Sequence, residues 1–406
     1  MAAKEEVLKV LEMLRDGKIS QEEAERLLQV LGRPAPAEPR LPETAPGREK
    51  PAPTHLDLGS LVSSVFKGLM AKRGGREADF EAECRNLESV SREEQLSMSV
   101  GAGGATEADL VWANMGFEGG EGDPGLKATL TAYGETAEKA AELLRSVSVR
   151  VEGEGSEWQV IPCVPNGAEG RVRFDLRFRV PRQCHVTAKA AMGRLSATGV
   201  AGEVGLQAKR GEVSVCECEG EIETQCVTGT VSIEGCRGEI TARAPNGDVV
   251  LDDCRGSITA KTTNGQVTIH DCGESVEAGS VNGSVKVTDS DGVLELHGVN
   301  GSIEAAGGRW GVLEAHTVNG PVRVCLATAQ APVMEIHTVN GQIDVSLPEG
   351  VSGRLEAKTV SGRVRCEHPL KESEVSARLL SGVLGSGGNA IELHAVNGAI
   401  TVRKEG

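Results

Sequence analysis

The chain has 406 residues, 52 of them Gly, with only five Phe, three Trp and one Tyr, so a core must be narrow and built from Val, Ile, Leu, Ala and Cys. Its formal charge of −16 argues against a nucleic-acid partner, because affinity for a polyphosphate comes mainly from Lys and Arg releasing counterions. Eleven Cys, an odd number spread through a long chain, suit reduced thiols better than a disulfide framework.

The first segment, MAAKEEVLKVLEMLRDGK, lacks the apolar core of a signal peptide, and no later run approaches the roughly 20 apolar residues of a membrane span. The expectation is a cytoplasmic protein. Residues 1–32 place Val7, Leu8, Leu11 and Leu14, then Ala24, Leu27, Leu28 and Leu31, at helical spacing. Asp16-Gly17 supplies a turn between two short helices, and Ser20 followed by Glu23 fits a capping box for the second. This stretch, with its DGKIS turn, resembles the SHOCT-like helical hairpin found at the ends of many bacterial envelope-associated proteins. So small a hairpin buries little apolar surface alone, which predicts docking on a protein partner or on a second copy.

Residues 33–55 hold seven prolines and read as an extended linker. An amphipathic helix follows over 56–76, with Leu58, Leu61, Val62, Val65, Phe66, Leu69 and Met70 on one stripe and Lys72, Arg73 and Arg76 at its end. That stripe suits either packing on a partner or peripheral contact with an anionic membrane at its inner face. Residues 77–190 alternate less regularly. ATLTAYG (128–134) and RVRFDLRFRV (171–180) read as strands and TAEKAAELLR (136–145) as a helix, together an entry cap for what comes next.

From Gly193 a glycine recurs every nine residues, through Gly202, Gly211, Gly220, Gly229, Gly238, Gly247, Gly256 and Gly265. Most are followed by an alternating strand: GEVSV, GTVSI, GEITA, GSITA, GQVTI. Alternate turns differ in chemistry, so the period is 18 residues. Asn246, Asn264, Asn282, Asn300, Asn319, Asn340 and Asn397 mark one corner, with Ser361 and Ser381 in the same place, while Cys218, Cys236, Cys254 and Cys272 mark the other. Asn over Asn and Cys over Cys favour parallel coils over an antiparallel meander, and Gly after Asn suggests positive φ at the corner. The predicted class is all-β: a parallel β-solenoid of about eleven two-strand coils over residues 191–406, preceded by the small helical hairpin. A C-terminal coil ending GAITVRKEG would leave that end uncapped and open to end-to-end assembly into filaments.

The run FRVPRQCHVTAKAAMGRLSATGVAGEVGLQAKRGEVSV, leading into repeated T-V-N-G corners, resembles the bacterial putative-adhesin family of β-strand-repeat proteins, a domain of unknown function. The resemblance spans about residues 80–406. It implies a β-solenoid and a loose envelope-stress association, and it brings no catalytic residues.

In the later coils the strand before the corner reads LELH, LEAH, MEIH, LEAK, IELH. With the apolar residues inside, the outer face carries a Glu row (Glu277, Glu295, Glu314, Glu335, Glu356, Glu392) and a second row of His297, His316, His337, Lys358 and His394. His297, His316 and His337 with Glu295, Glu314 and Glu335 are candidates for a transition-metal or pH-sensing surface; a plain solvated face is the simpler reading. Asp253, Asp271 and Asp289 suggest turn capping or Ca²⁺, and the laddered Cys suggest packing, since they form no CxxC pairs. No hydrolase elbow, phosphate loop, metalloprotease helix or dinucleotide motif is present, and no cofactor is expected. The sequence reads as a non-enzymatic scaffold, with a filament or a metal- or proton-responsive sensor as alternatives.

Overall fold

The structure, a computed structural model, describes residues 83–154 and 156–404. The expected hairpin (1–32), linker (33–55) and amphipathic helix (56–76) lie outside these residues. Residues 77–406 form one unit, so cap and repeats belong together.

The cap comprises β1 (Glu88–Ser97), β2 (Gly104–Gly120), β3 (Gly125–Gly134), helix α1 (Ala137–Ser146), β4 (Ser148–Glu154), β5 (Glu157–Cys163) and β6 (Val172–Pro181). Thr136 caps α1 rather than joining it, its hydroxyl accepting from the Lys139 N–H, and Ala140 and Leu144 are buried beneath the helix. Strand β2 was not expected. It lies parallel to the first coil, β7 (Cys184–Thr198), in register from Gly104 opposite Cys184 to Glu118 opposite Thr198. The free edge of β2 is covered by β5 beside Ala105–Ala108 and by β6 beside Ala113–Gly120. β4 then pairs antiparallel with β5, while β3 and β1 extend β6 antiparallel. The last of these, β1, carries Glu88, Arg92, Glu93 and Glu94, and a charged edge resists addition of another strand.

The coils begin at Cys184, seven residues before the expected boundary at 191. In the first three, β7, β8 (Val204–Cys216) and β9 (Glu219–Glu234), one long strand runs around the corner. Later coils break into a longer and a shorter strand. These are β10 (Arg237–Ala244) with β11 (Val249–Asp252), β12 (Arg255–Thr262) with β13 (Val267–His270), β14 (Gly273–Ser280) with β15 (Val285–Thr288), and β16 (Gly292–Gly298) with β17 (Ile303–Ala306). Two more follow, β18 (Trp310–Thr317) with β19 (Val322–Cys325) and β20 (Val333–Asn340) with β21 (Ile343–Leu347). Longer strands stack on longer and shorter on shorter, all parallel, which excludes the meander. Between the two sheets lie inward residues such as Ile240, Ala242, Val249 and Leu251, each at most 1% exposed. At about 1.5–3 kcal/mol for each fully buried large aliphatic side chain, the stack is held by repetition rather than by any one contact.

The chain does not end where the repeat would put it. Strands β22 (Gly353–Thr359) and β23 (Val364–Cys366) form the outermost coil, β24 (Lys371–Val375) and β25 (Leu379–Leu384) make an antiparallel hairpin on β22, and β26 (Ala390–Asn397) with β27 (Ile400–Lys404) returns to fill the space between. Thus β26 pairs with β20 on one side and β22 on the other, and β27 lies likewise between β21 and β23. Eleven coils result, as expected in number, but the C-terminal coil is internal, contrary to the expected uncapped end. Ser381 is no corner; it lies opposite Glu356 in the covering hairpin.

The corners differ from expectation in mechanism. A Cβ on Gly247, Gly265, Gly283 or Gly301 would stand 1.7–2.0 Å from the carbonyl oxygen of the glycine one coil earlier. These glycines serve close backbone approach, and their φ lies outside the left-handed region expected after Asn. Left-handed residues occupy the opposite corner instead: Gly199, Glu217, Gly235, Asp253, Asp271, Asp289 and Gly307 follow one another coil by coil at φ of 45–71°. Asp is there because its short side chain tolerates that conformation.

Candidate functional site

Three columns of polar side chains run along the stack, each fixed by coil register. At the Asn corner every amide donates to its predecessor: Asn264 to Asn246, Asn282 to Asn264, Asn300 to Asn282, Asn319 to Asn300, Asn340 to Asn319 and Asn397 to Asn340, at 2.8–2.9 Å. Ser361 rather than another Asn follows Asn397. Just inside, Thr262 and Ser280 donate to the carbonyls of Gly247 and Gly265 at 2.9 Å, and Thr359 to that of Gly398 at 2.9 Å. These buried hydroxyls were missed in the sequence, although a Ser or Thr two places before most of the corner Asn residues signals them.

At the other corner Cys218, Cys236, Cys254 and Cys272 are at most 1% exposed, and each thiol donates to the carbonyl two residues earlier at 3.3 Å. Hydrogen bonding to neighbouring thiols, with burial, raises Cys236 and Cys272 far above an ordinary cysteine, so they pack as neutral thiols. The Asp residues beside them are already supplied with a cation: Arg255 lies 2.9 Å from Asp271 and 3.4 Å from Asp253.

The outward face of the longer strands carries the third arrangement. Its carboxylate column runs Glu277, Glu295, Glu314, Glu335, Glu392, Glu356. Beside it the spatial order is Arg243, Lys261, Gly279, His297, His316, His337, His394, Lys358. The sequence order placed Lys358 between His337 and His394; the returning coil removes that interruption and leaves four imidazoles in succession. Their rings stack at centroid distances of 5.8, 5.1 and 4.9 Å, with planes within 17°. Nε2 of His297 lies 3.0 Å from Glu295, that of His337 2.9 Å from Glu335, and that of His394 4.0 Å from Glu392. Upstream the same partnership uses stronger cations, Arg243 on Glu223 at 3.3 Å and Lys261 on Glu277 at 2.5 Å. Burial, then the imidazoles of His337 and His297, push His316 down to about 4, and burial followed by His337 lowers His394.

A cleft of about 900 Å³ opens at the far end, between β23 and the covering hairpin, bordered by Val364, Cys366, His368, Leu370, Leu380 and Arg403. Here His368 Nε2 donates to the Arg403 carbonyl at 3.1 Å and the Cys366 thiol to the His368 carbonyl at 3.7 Å. Both groups are committed to backbone, and neither is placed to activate the other.

Residues 257–403, the stretch that carries the Glu and His columns and every corner Asn after Asn246, match the family model Toastrack DUF4097. Over that stretch the chain is similar to the Toastrack family. Four earlier coils and the cap precede the matched segment, which ends within the returning coil. No curated protein matches the chain. Ten chains of known structure do. Three of them, whose names all carry the word putative, are an adhesin from Parabacteroides merdae (11% identity, TM-score 0.30, covering 78% of this chain and 96% of that one), a cell adhesion protein from Clostridium sporogenes (11%, 0.17, 78% and 100%) and a lipid binding protein from Parabacteroides distasonis (11%, 0.27, 79% and 97%). Among the described residues no helix is long and apolar enough to cross a membrane.

Proposed function

We propose that this protein is a non-enzymatic scaffold, a stack of coils that displays laddered faces to a partner. The observation that carries the reading is closure at both ends. At one end β5 and β6 cover β2 and the sheet finishes in charged β1. At the other, β25 covers β22, the exposed strand β24 (KESEV) pairs outside β25, and Val364 of β23 donates to the Ala377 carbonyl. Closed ends support a discrete particle over a filament.

In this reading the N-terminal hairpin and amphipathic helix expected from sequence recruit the scaffold, either to a protein partner, a second copy, or the inner face of an anionic membrane. An envelope-stress setting follows from the resemblance, and a cytoplasmic location is part of the same proposal. Size-exclusion chromatography with light scattering of the full chain tests the central point. A discrete mass independent of concentration is expected; mass growing without limit would sink the scaffold in favour of the filament. Co-sedimentation with anionic vesicles, comparing the full chain with one lacking residues 1–76, tests recruitment: loss of binding on deletion is expected, and equal binding by both would reject a role for those residues.

A further inference from the structure

We propose that the imidazole column of His297, His316, His337 and His394 binds divalent transition-metal ions, each held between rings of neighbouring coils. Imidazole is a ligand for Zn²⁺, Ni²⁺ and Cu²⁺, whereas Ca²⁺ and Mg²⁺ prefer oxygen. Four rings in succession arise only because β26 inserts beside β20, placing His394 4.9 Å from His337, the shortest of the three ring spacings.

The surroundings match what a histidine ligand needs. Nε2 of His297 and of His337 faces a glutamate of its own strand at 3.0 and 2.9 Å, leaving Nδ1 of each ring for another partner. A carboxylate on the far ring nitrogen orients a metal-bound histidine and raises its basicity. The unbroken column of six glutamates also gives this face a negative potential that concentrates cations. With metal–nitrogen bonds of about 2.0–2.1 Å, two ligating nitrogens must come within roughly 3–4 Å of each other, and rotation of these surface rings about the Cβ–Cγ bond supplies the closure. Among the described residues no three donors converge on one point, so each ion is held by two imidazoles and completes its shell with water. Two ligands and solvent make an exchangeable site rather than a structural one. Metal uptake is independent of the scaffold role.

The test uses the full chain, stripped with EDTA, kept reduced, and titrated calorimetrically with Ni²⁺ alone near neutral pH. Substituting His337→Gln together with His394→Gln should leave only the His297–His316 pair and so lower the number of Ni²⁺ ions bound, and Glu335→Gln should weaken the sites that share His337 by about tenfold through loss of the outer partner. His270→Gln, outside the column, should change nothing. On the unaltered protein, Ni²⁺ should broaden the imidazole proton resonances of the four column histidines and spare His185 and His270, a readout that needs no variant to fold. The proposal is overturned if the unaltered protein takes up no Ni²⁺, if the double variant binds undiminished, as thiol ligation would give, or if broadening centres on other residues.

Discussion

At the scale of single residues, the corner glycines show why a repeat can be rigid in sequence without demanding unusual torsions. Gly283→Ala places a methyl 1.8 Å from the Gly265 carbonyl oxygen, so the coil spacing must give way locally. A loss of about 2 kcal/mol or more is expected in denaturant unfolding, against little change at Gly101, where a Cβ meets nothing. Asn300→Ala breaks the amide chain in its middle, leaving the Asn282 oxygen and the Asn319 amide to water. Because that corner is exposed, the cost should be about 1 kcal/mol, readable as a shift in urea midpoint at constant slope. His316 gives the pH dependence. Its folded value of about 4 lies below the ordinary 6.5, so the unfolded chain binds the extra proton between those values. Stability contributed by neutral His316 is therefore complete above pH 6.5 and is lost as pH falls toward 4. In metal-free buffer the thermal midpoint should drop through that window, and His316→Gln should flatten the drop.

Elements tell which parts of the architecture could be read from letters. The alternating nonamers, the Asn corner and the Cys corner were legible because each places one side chain per coil in contact with its own copy, and identity in sequence then reports contact in space. Strand β2 was not, since GATEADLVWANMGF lacks the glycine cadence although it stacks on β7 in coil register. The spatial order of the last coils was hidden by the regular spacing from Asn340 to Ser361, which continues the repeat on paper while the chain leaves a gap. A signal was nonetheless present: IELHAVNGAI copies MEIHTVNGQI, with His for His and Asn for Asn, better than LEAKTVSGRV does. The His column was legible residue by residue, but its continuity was not. Since Ser361 lies under Asn397, Ser361→Asn should extend the ladder by one amide and stabilise by about 0.5–1 kcal/mol, whereas the same change at Ser381, in the covering hairpin, should not.

For the whole molecule, the inserted coil changes what it means to make this protein. In an ordinary linear repeat each unit can dock as soon as it leaves the ribosome, because its only neighbour is already there. Here β22 to β25 emerge before the coil that must separate them from β20 and β21, so β26 and β27 have to enter between surfaces that already exist. Ile391, Leu393, Ile400 and Val402, all fully buried, arrive last of all the core. Strands β26 and β27, made after the coils they lie between, are thus a keystone: a chain stopped short of residue 390 would lose an interior course, and β22 with its covering hairpin would be cut off from β20 and β21.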